Sequence, residues 1–306
     1  MSAVRFSVVI PVRNRPAEIR RCVWGVRTCE YPEDRYEIIV VDNGSTDRTA
    51  TEAERAGAWV VREPVANRCR ARNLGVAAAR GRWIVFLDSD CVPARGWLAA
   101  LGRAVEAVES DGAGDRIAAL AGPVRPAPPT TTVEAYIARR RWIDQEKFLA
   151  EGRRYSPPFA ATANLTVRRD LYRGLGGLDP DLATAGEDAD FCWRLAGEGW
   201  RLRYVPEAEV THHHRATLGG LWCQAYHYGI GNAELFAKWR RQWGACCWIE
   251  PSHYIWALKA SLKTPIQSWR GGNPLDRQTP LYDAMSNVAM ALGRAVGGMR
   301  RGVLVL

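Results

Sequence analysis

The chain has 306 residues, 47% of them hydrophobic, and a formal net charge of +9. It reads as an ordinary globular protein with apolar material for one large domain or two. No basic N-terminal region leads into an apolar stretch and no window approaches about eighteen uninterrupted apolar residues, so neither a signal peptide nor a membrane span is expected and a cytoplasmic location follows.

Phe6 to Pro11 is predicted as a first strand, Pro16 to Cys29 as a helix, and Glu37 to Asp42 as a second strand ending in Asn43-Gly44-Ser45-Thr46-Asp47. Thr46 to Ala56 reads as a helix, Trp59 to Arg62 as a strand, Asn67 to Ala79 as a helix and Trp83 to Leu87 as a strand. Strands alternating with helices give an α/β fold with a doubly wound, mostly parallel sheet. That layout sets Pro11, Asp42 and Asp88 at C-terminal strand ends, where open sheets of this kind bind ligands. Asp42 and Asn43 can meet a base or ribose edge there; the plainer reading is an Asn-Gly turn with a Ser or Thr helix cap. No GxGxxG follows the first strand, which counts against a dinucleotide-binding oxidoreductase. Arg68 and Arg72 share a helix face, and Arg72 with Asn73 can reach a ligand at the same end.

The fourth strand ends abruptly in Asp88-Ser89-Asp90. Mg²⁺ or Mn²⁺ is commonly held by one or two carboxylates together with phosphate oxygens, so this pair suits a cation that clamps a diphosphate. The alternative is a turn at Asp88 with Asp90 capping the next helix.

A helix from about Ala94 to Val108, an acidic glycine-rich loop and a strand at Ile117 to Ala121 come next. The Pro- and Thr-rich segment Arg125 to Thr132 leads to a basic helix, Val133 to Ala150, and Phe159 to Val167 returns as a strand. A second acidic cluster, Glu187-Asp188-Ala189-Asp190, opens a helix whose dipole favours acids at its start, and Asp190 and Arg194 are spaced for an ion pair. After a strand at Leu202 to Val205 come His212, His213 and His214, one of which can ligate a metal through a ring nitrogen.

Between Ala216 and the C-terminus ten Lys and Arg face four Asp and Glu, so +6 of the +9 lies in the last third, alongside Trp222, Trp239, Trp243, Trp248, Trp256 and Trp269. Such a mixture suits an anionic membrane surface or a polyanionic acceptor; the competing reading is a solvated basic face over a helical core. Leu218, Trp222, Tyr226 and Ile230 form a four-residue ridge expected in that core. Residues 1–215 and 216–306 are therefore read as a catalytic domain and a helical extension. The eight cysteines lack CxxC spacing, so buried reduced thiols are expected, and Cys246-Cys247 has no assigned role.

In unbroken order, Val9-Ile10-Pro11-Val12-Arg13-Asn14, Val40-Val41-Asp42-Asn43-Gly44-Ser45-Thr46-Asp47, Arg72-Asn73-Leu74-Gly75, Phe86-Leu87-Asp88-Ser89-Asp90, Gly186-Glu187-Asp188 and Val210-Thr211-His212 resemble glycosyltransferase family 2 over residues 5 to about 215. The resemblance implies a GT-A fold, a nucleotide-sugar donor, a divalent cation (Mn²⁺ or Mg²⁺) and inversion at the anomeric carbon. It implies that Pro11, Arg13, Asp42, Asn43, Arg72, Asp88 and Ser89 line the donor site, with Asp42 and Asn43 on the nucleoside. Asp88 and Asp90 would be the metal pair, Asp90 favoured as the direct ligand, with His212 a further contact to metal or diphosphate. Asp188 would be the catalytic base and Glu187 its fallback. Many members carry a second Asp where this chain has Asn43, so UDP, dTDP and GDP donors all stay open. No QxxRW follows the histidines, which favours single addition over processive synthesis. The acceptor would bear a hydroxyl and could be lipid-linked on the inner face of a membrane; no nucleic-acid partner is expected. Two other readings are a nucleotidyltransferase, disfavoured by the missing phosphate loop, and a non-catalytic nucleotide-sugar-binding module, disfavoured by the intact carboxylates.

Overall fold

The computed structural model describes residues 4–110, 116–150, 157–249 and 273–305. Two compact units form, one from Met1–Arg125, Ile143–Ala183 and Glu187–His213, the other from Pro126–Trp142, Thr184–Gly186 and His214–Leu306.

The first unit opens with β1 (Phe6–Val12), α1 (Pro16–Arg27), β2 (Tyr36–Asp42), α2 (Thr49–Arg55), β3 (Trp59–Arg62), α3 (Arg68–Ala78) and β4 (Trp83–Leu87), the alternation read from the sequence. Then come β5 (Cys91–Pro93), α4 (Trp97–Ser110), β6 (Ile117–Ala121), β7 (Val124–Pro126), α5 (Thr132–Arg140), α6 (Gln145–Ala150), β8 (Asn164–Arg168), α7 (Arg169–Gly174), α8 (Glu187–Gly197), β9 (Arg201–Tyr204) and β10 (Val210–His212). The main sheet runs β3-β2-β1-β4-β8-β6-β9. Its first four strands are parallel, β8 lies antiparallel to both β4 and β6, and β9 is parallel to β6. Side chains alternate across the central strands: Val8, Ile10, Val40 and Val85 pack with α1 and α4 on one face, and Val9, Ile39, Val41, Ile84 and Phe86 pack with α3, α7 and α8 on the other. Burial on both faces is why these strands read as unbroken apolar runs.

Two sequence boundaries move. The strand expected from Phe159 begins at Asn164, because Gln145 satisfies the preceding backbone instead: its amide oxygen accepts from Ala161 N at 2.8 Å and its Nε2 donates to Ala161 O at 3.0 Å. The helix expected over 133–150 breaks at Arg141, whose φ of 49° is left-handed and ends α5.

The second unit contains α5, α9 (Leu218–Trp239), β11 (Cys247–Trp248), α10 (Pro274–Arg301) and β12 (Leu304–Val305). α5 starts with a capping box between Thr131 and Glu134. It packs in this unit because Tyr136 donates to Asp283 Oδ1 at 2.8 Å and Arg140 pairs with the same carboxylate. In α9 the buried ridge is Leu221, Ala225, Gly229 and Ala233; of the expected ridge Ile230 is buried, Trp222 and Tyr226 are half-buried and Leu218 is exposed. Small residues win this register because α10 approaches backbone to backbone: a Cβ on Gly229 would lie 2.2 Å from Met290 O, and one on Gly293 would lie 2.1 Å from Tyr226 O. Among the described residues no helix is long and apolar enough to cross a membrane. Trp256 and Trp269 lie outside the described residues.

Candidate functional site

β1, β2 and β4 are parallel and in register, so their C-terminal ends deliver Pro11, Arg13, Asp42, Asn43, Asp88, Ser89 and Asp90 to one edge of the sheet. The loops after β1 and β2 are tied together there, since Asn14 Oδ1 accepts from Thr46 N at 2.8 Å and Asn14 N donates to Ser45 Oγ at 2.9 Å. Asp42 and Asn43 are both buried and both occupied in part: Asp42 Oδ1 accepts from Ser45 N at 3.1 Å, and Asn43 Oδ1 accepts from Asn67 N at 2.9 Å. Asn67 in turn caps α3 through its side-chain oxygen.

From that capped helix Arg68 and Arg72 emerge one turn apart, and both reach Glu187. Arg72 is only 4% exposed; its Nη2 donates to Asp88 Oδ1 at 2.7 Å and its Nη1 to Glu187 Oε1 at 3.1 Å, while Arg68 Nη1 lies 3.8 Å from the same Glu187 oxygen. Burial works against the Arg72 charge, but Asp88 and Glu187 outweigh it and hold the guanidinium above its ordinary value. Arg72 Nε is buried and makes no hydrogen bond. One guanidinium thus spans the β4 carboxylate and the start of α8.

Asp90 sits on the other side of the turn from Asp88. β5 pairs antiparallel with β10, and His212 stands opposite Cys91. This brings His212 Nε2 to 3.4 Å from Asp90 Oδ1, with Arg15 Nη1 3.7 Å from Oδ2. His213 meets Asp90 through its backbone, its N–H donating to Asp90 O at 2.9 Å. The position of β10 is fixed from the core: Trp97 Nε1 donates to Asn164 Oδ1 at 3.0 Å, and Asn164 Nδ2 donates to Pro123 O at 3.1 Å and Ala208 O at 2.8 Å.

Burial, opposed by His212 and reinforced by Asp88, holds Asp90 above the usual carboxylate range. A divalent cation fits this donor set: a carboxylate and an imidazole converge, and a buried carboxylate with a second one beside it is stabilised in its charged form by a cation. Asp88 lies beside this set with its carboxylate held by Arg72. Among the described residues, the ligand atoms that converge within 4.8 Å of one another are those of Asp90, Cys91 and His212. Cys91 was missed in the sequence, where only its adjacency to Asp90 offered a signal; the β5–β10 pairing reveals it.

At the start of α8, Glu187 is buried and held by two guanidinium groups, whereas Asp188 is mostly but less completely buried and accepts from Ala189 N at 2.8 Å. Burial, with Glu187 adding to it, pushes the Asp188 carboxyl up to about 7. Asp190 forms the expected ion pair with Arg194, Nε to Oδ2 at 2.9 Å, and is structural. An open cavity of about 500 Å³ at the N-terminal ends of β2 and β3, lined by Arg27, Tyr36, Trp59 and Arg80, holds none of these residues.

Residues 7–176 match the family model described as glycosyl transferase family 2. The chain belongs to glycosyl transferase family 2. Within the family it is 34% identical over 244 residues to the pre-mycofactocin glycosyltransferase of Mycobacterium tuberculosis, a match covering 76% of this chain and 47% of that protein. It therefore spans about half the length of that relative. It is 27% identical over 267 residues to glycosyltransferase AglE of Haloferax volcanii, covering 81% of this chain and 83% of the relative. In structure it is similar to the mannosyltransferase PcManGT from Pyrobaculum calidifontis in complex with GDP-Man and Mn²⁺, with a TM-score of 0.62 at 20% identity over 96% of this chain and 88% of that one. It is also similar to GalNAc-T7 with UDP, GalNAc and Mn²⁺, with a TM-score of 0.53 at 19% identity over 77% of this chain and 50% of that one. At such identities the likeness concerns the fold, which is the GT-A arrangement of the family.

Proposed function

We propose that the chain is an inverting glycosyltransferase that moves one sugar from a nucleoside-diphosphate sugar to an acceptor hydroxyl and depends on a divalent cation. The observation that carries this reading is the place of Asp188, at the start of α8 beside the Glu187–Arg72–Asp88 bridge, at the sheet edge where such folds hold ligands; burial and Glu187 push its carboxyl up to about 7.

Asp188 takes the proton of the acceptor hydroxyl as that oxygen attacks the anomeric carbon; the sugar–phosphate C–O bond breaks and its electron pair leaves with the diphosphate. A placed base of this kind typically contributes ~10²- to 10⁴-fold. Glu187, already paired with Arg72 and Arg68, orients the start of α8 in place of acting as the base. Asp42 and Asn43 face the nucleoside, with Pro11, Arg13 and Ser89 at the rim of the same edge. Asp90 and His212 would hold Mn²⁺ or Mg²⁺, whose chemistry when bound is to neutralise charge on the departing diphosphate. Asp88, held by Arg72, supports that site electrostatically. The complexes with GDP-Man and with UDP among the structural neighbours keep both guanosine and uridine donors in play.

Purified protein with Mn²⁺ and a panel of UDP-, dTDP- and GDP-sugars is expected to release nucleoside diphosphate with one of them, and to stop in excess chelator. Release that persists in chelator would remove the cation from the reaction, and no release with any donor, with or without acceptor extracts, would remove the enzyme reading.

The helical unit carries a separate part of the proposal. Leu281, Val288, Leu292 and Met299 are exposed along one stripe of α10, with exposed Arg300 and Arg301 at its C-terminal end. Apolar side chains flanked by cations suit an anionic bilayer surface and a lipid-linked acceptor. Flotation with anionic vesicles but not with neutral ones is expected; equal behaviour in both would exclude it.

A further inference from the structure

Asp90, Cys91 and His212 present three chemically different ligand atoms, a carboxylate oxygen, a sulfur and an imidazole nitrogen, all within 4.8 Å of one another. Cys91 and His212 are directly opposed across the β5–β10 pair, and opposed residues of an antiparallel pair project to the same face. In a tetrahedral shell with bonds of ~2.0–2.3 Å, neighbouring ligand atoms stand roughly 3.3–3.7 Å apart. The Asp90 Oδ1 to His212 Nε2 separation of 3.4 Å already has that value, so only the sulfur must close in. All three residues are within a tenth of full burial, which shields the set from competing water.

We propose that Cys91 makes this a thiophilic cation site, taken by Zn²⁺ or Cd²⁺ in a mode distinct from the oxygen-rich binding of Mn²⁺ or Mg²⁺. Hard cations draw their ligands from carboxylates, water and phosphate, and leave the thiol alone; a soft or borderline d¹⁰ cation recruits it. On binding, the Cys91 thiol releases its proton to solvent and its sulfur bonds the metal. Because Asp90 and His212 serve both modes, a thiophilic cation excludes the one proposed for transfer, and zinc is an inhibitor competitive with Mn²⁺. The other buried thiols, Cys22, Cys29, Cys69 and Cys192, belong to no such set among the described residues.

The test uses the reduced full chain and Cd²⁺ alone, in a background where the solvent-accessible Cys223, Cys246 and Cys247 are replaced by serine. One equivalent of Cd²⁺ is expected to give a thiolate-to-metal charge-transfer band in the ultraviolet, lost on Cys91→Ser. His212→Asn and Asp90→Asn keep the sulfur and should each need about tenfold more Cd²⁺ or beyond to reach the same band. A background protein without the band, or a band that survives Cys91→Ser, overturns the proposal. If Cys91→Ser fails to fold, Cd²⁺ affinity unchanged by His212→Asn overturns it independently. No sugar donor enters the measurement, so a band without transferase activity would sink the functional reading alone.

Discussion

The sheet edge and the helical unit both bury charge, and they do it differently. In the helical unit Asp283 is buried, but it meets Arg140 and the Tyr136 hydroxyl of one neighbouring helix. At the sheet edge Asp88, Asp90, Glu187 and Asp188 crowd together, and two of them, Asp90 and Asp188, are held above the usual carboxylate range. Matched burial of this kind specifies packing, whereas surplus carboxylate stores an electrostatic demand that a cation or a proton can meet.

The largest effect that would break this comparison is at Arg72. Arg72→Met leaves Glu187 facing only the more distant Arg68, and should cost about 3 kcal/mol or more of stability by urea denaturation. Arg140→Met should cost less, about 1.5–3 kcal/mol, because Tyr136 still donates to Asp283. Equal losses would make the two sites alike.

Next is Asp188→Asn. Its single-turnover rate should fall ~10²-fold or more with donor affinity little changed. Asp188 also has a sign to check: its folded value, about 7, lies above the ordinary ~3.9 of an unfolded chain. The stability it contributes is therefore complete below about pH 4 and is lost as pH rises through 7. Asparagine escapes that loss, so the variant should melt higher than wild type at pH 8 and show no such advantage at pH 4. The wild-type rate should carry an acid limb near pH 7, moved downward by Glu187→Gln. A variant with near-normal turnover and a lowered melting point would instead make Asp188 a helix cap.

Smaller effects probe the helical side. Gly293→Ala drives a methyl into the Tyr226 carbonyl and should cost about 1–3 kcal/mol. Thr131→Ala removes the capping box of α5 and should cost about 1 kcal/mol, read as a shift in thermal midpoint.

Much of the first unit was legible because its strands are buried on both faces: β1, β2 and β4 announce themselves as apolar runs that end in carboxylates or a turn. What escaped was decided by single side chains acting at a distance. Residues 159–163 look like strand, yet Gln145 takes the backbone hydrogen bonds of Ala161, and Phe159 N and Ala160 N donate to Phe148 O and Cys192 Sγ. The α9 ridge kept Ile230 but lost its first turn, because helix approach favoured glycine and alanine over tryptophan. At the site, the spacing of Arg68 and Arg72 foretold a shared face, but nothing local foretold that Arg72 would claim Asp88. Cys91 was hidden for the same reason that β5 and β10 were: three-residue strands carry too little pattern to declare a partner.

The β5–β10 pair also has a consequence in time. Asp90 and His212 are separated by more than a third of the chain, and the segment between them supplies β6, β8 and β9 and the Asn164 anchor. During synthesis the loops after β1 and β2 can come together from the first strands alone, while Asp90 and His212, the ligands proposed for the cation, cannot meet until β10 has emerged and closed that long loop. A nascent or truncated chain would hold its carboxylates apart from their histidine, so cation binding should report completion of the fold and not its beginning.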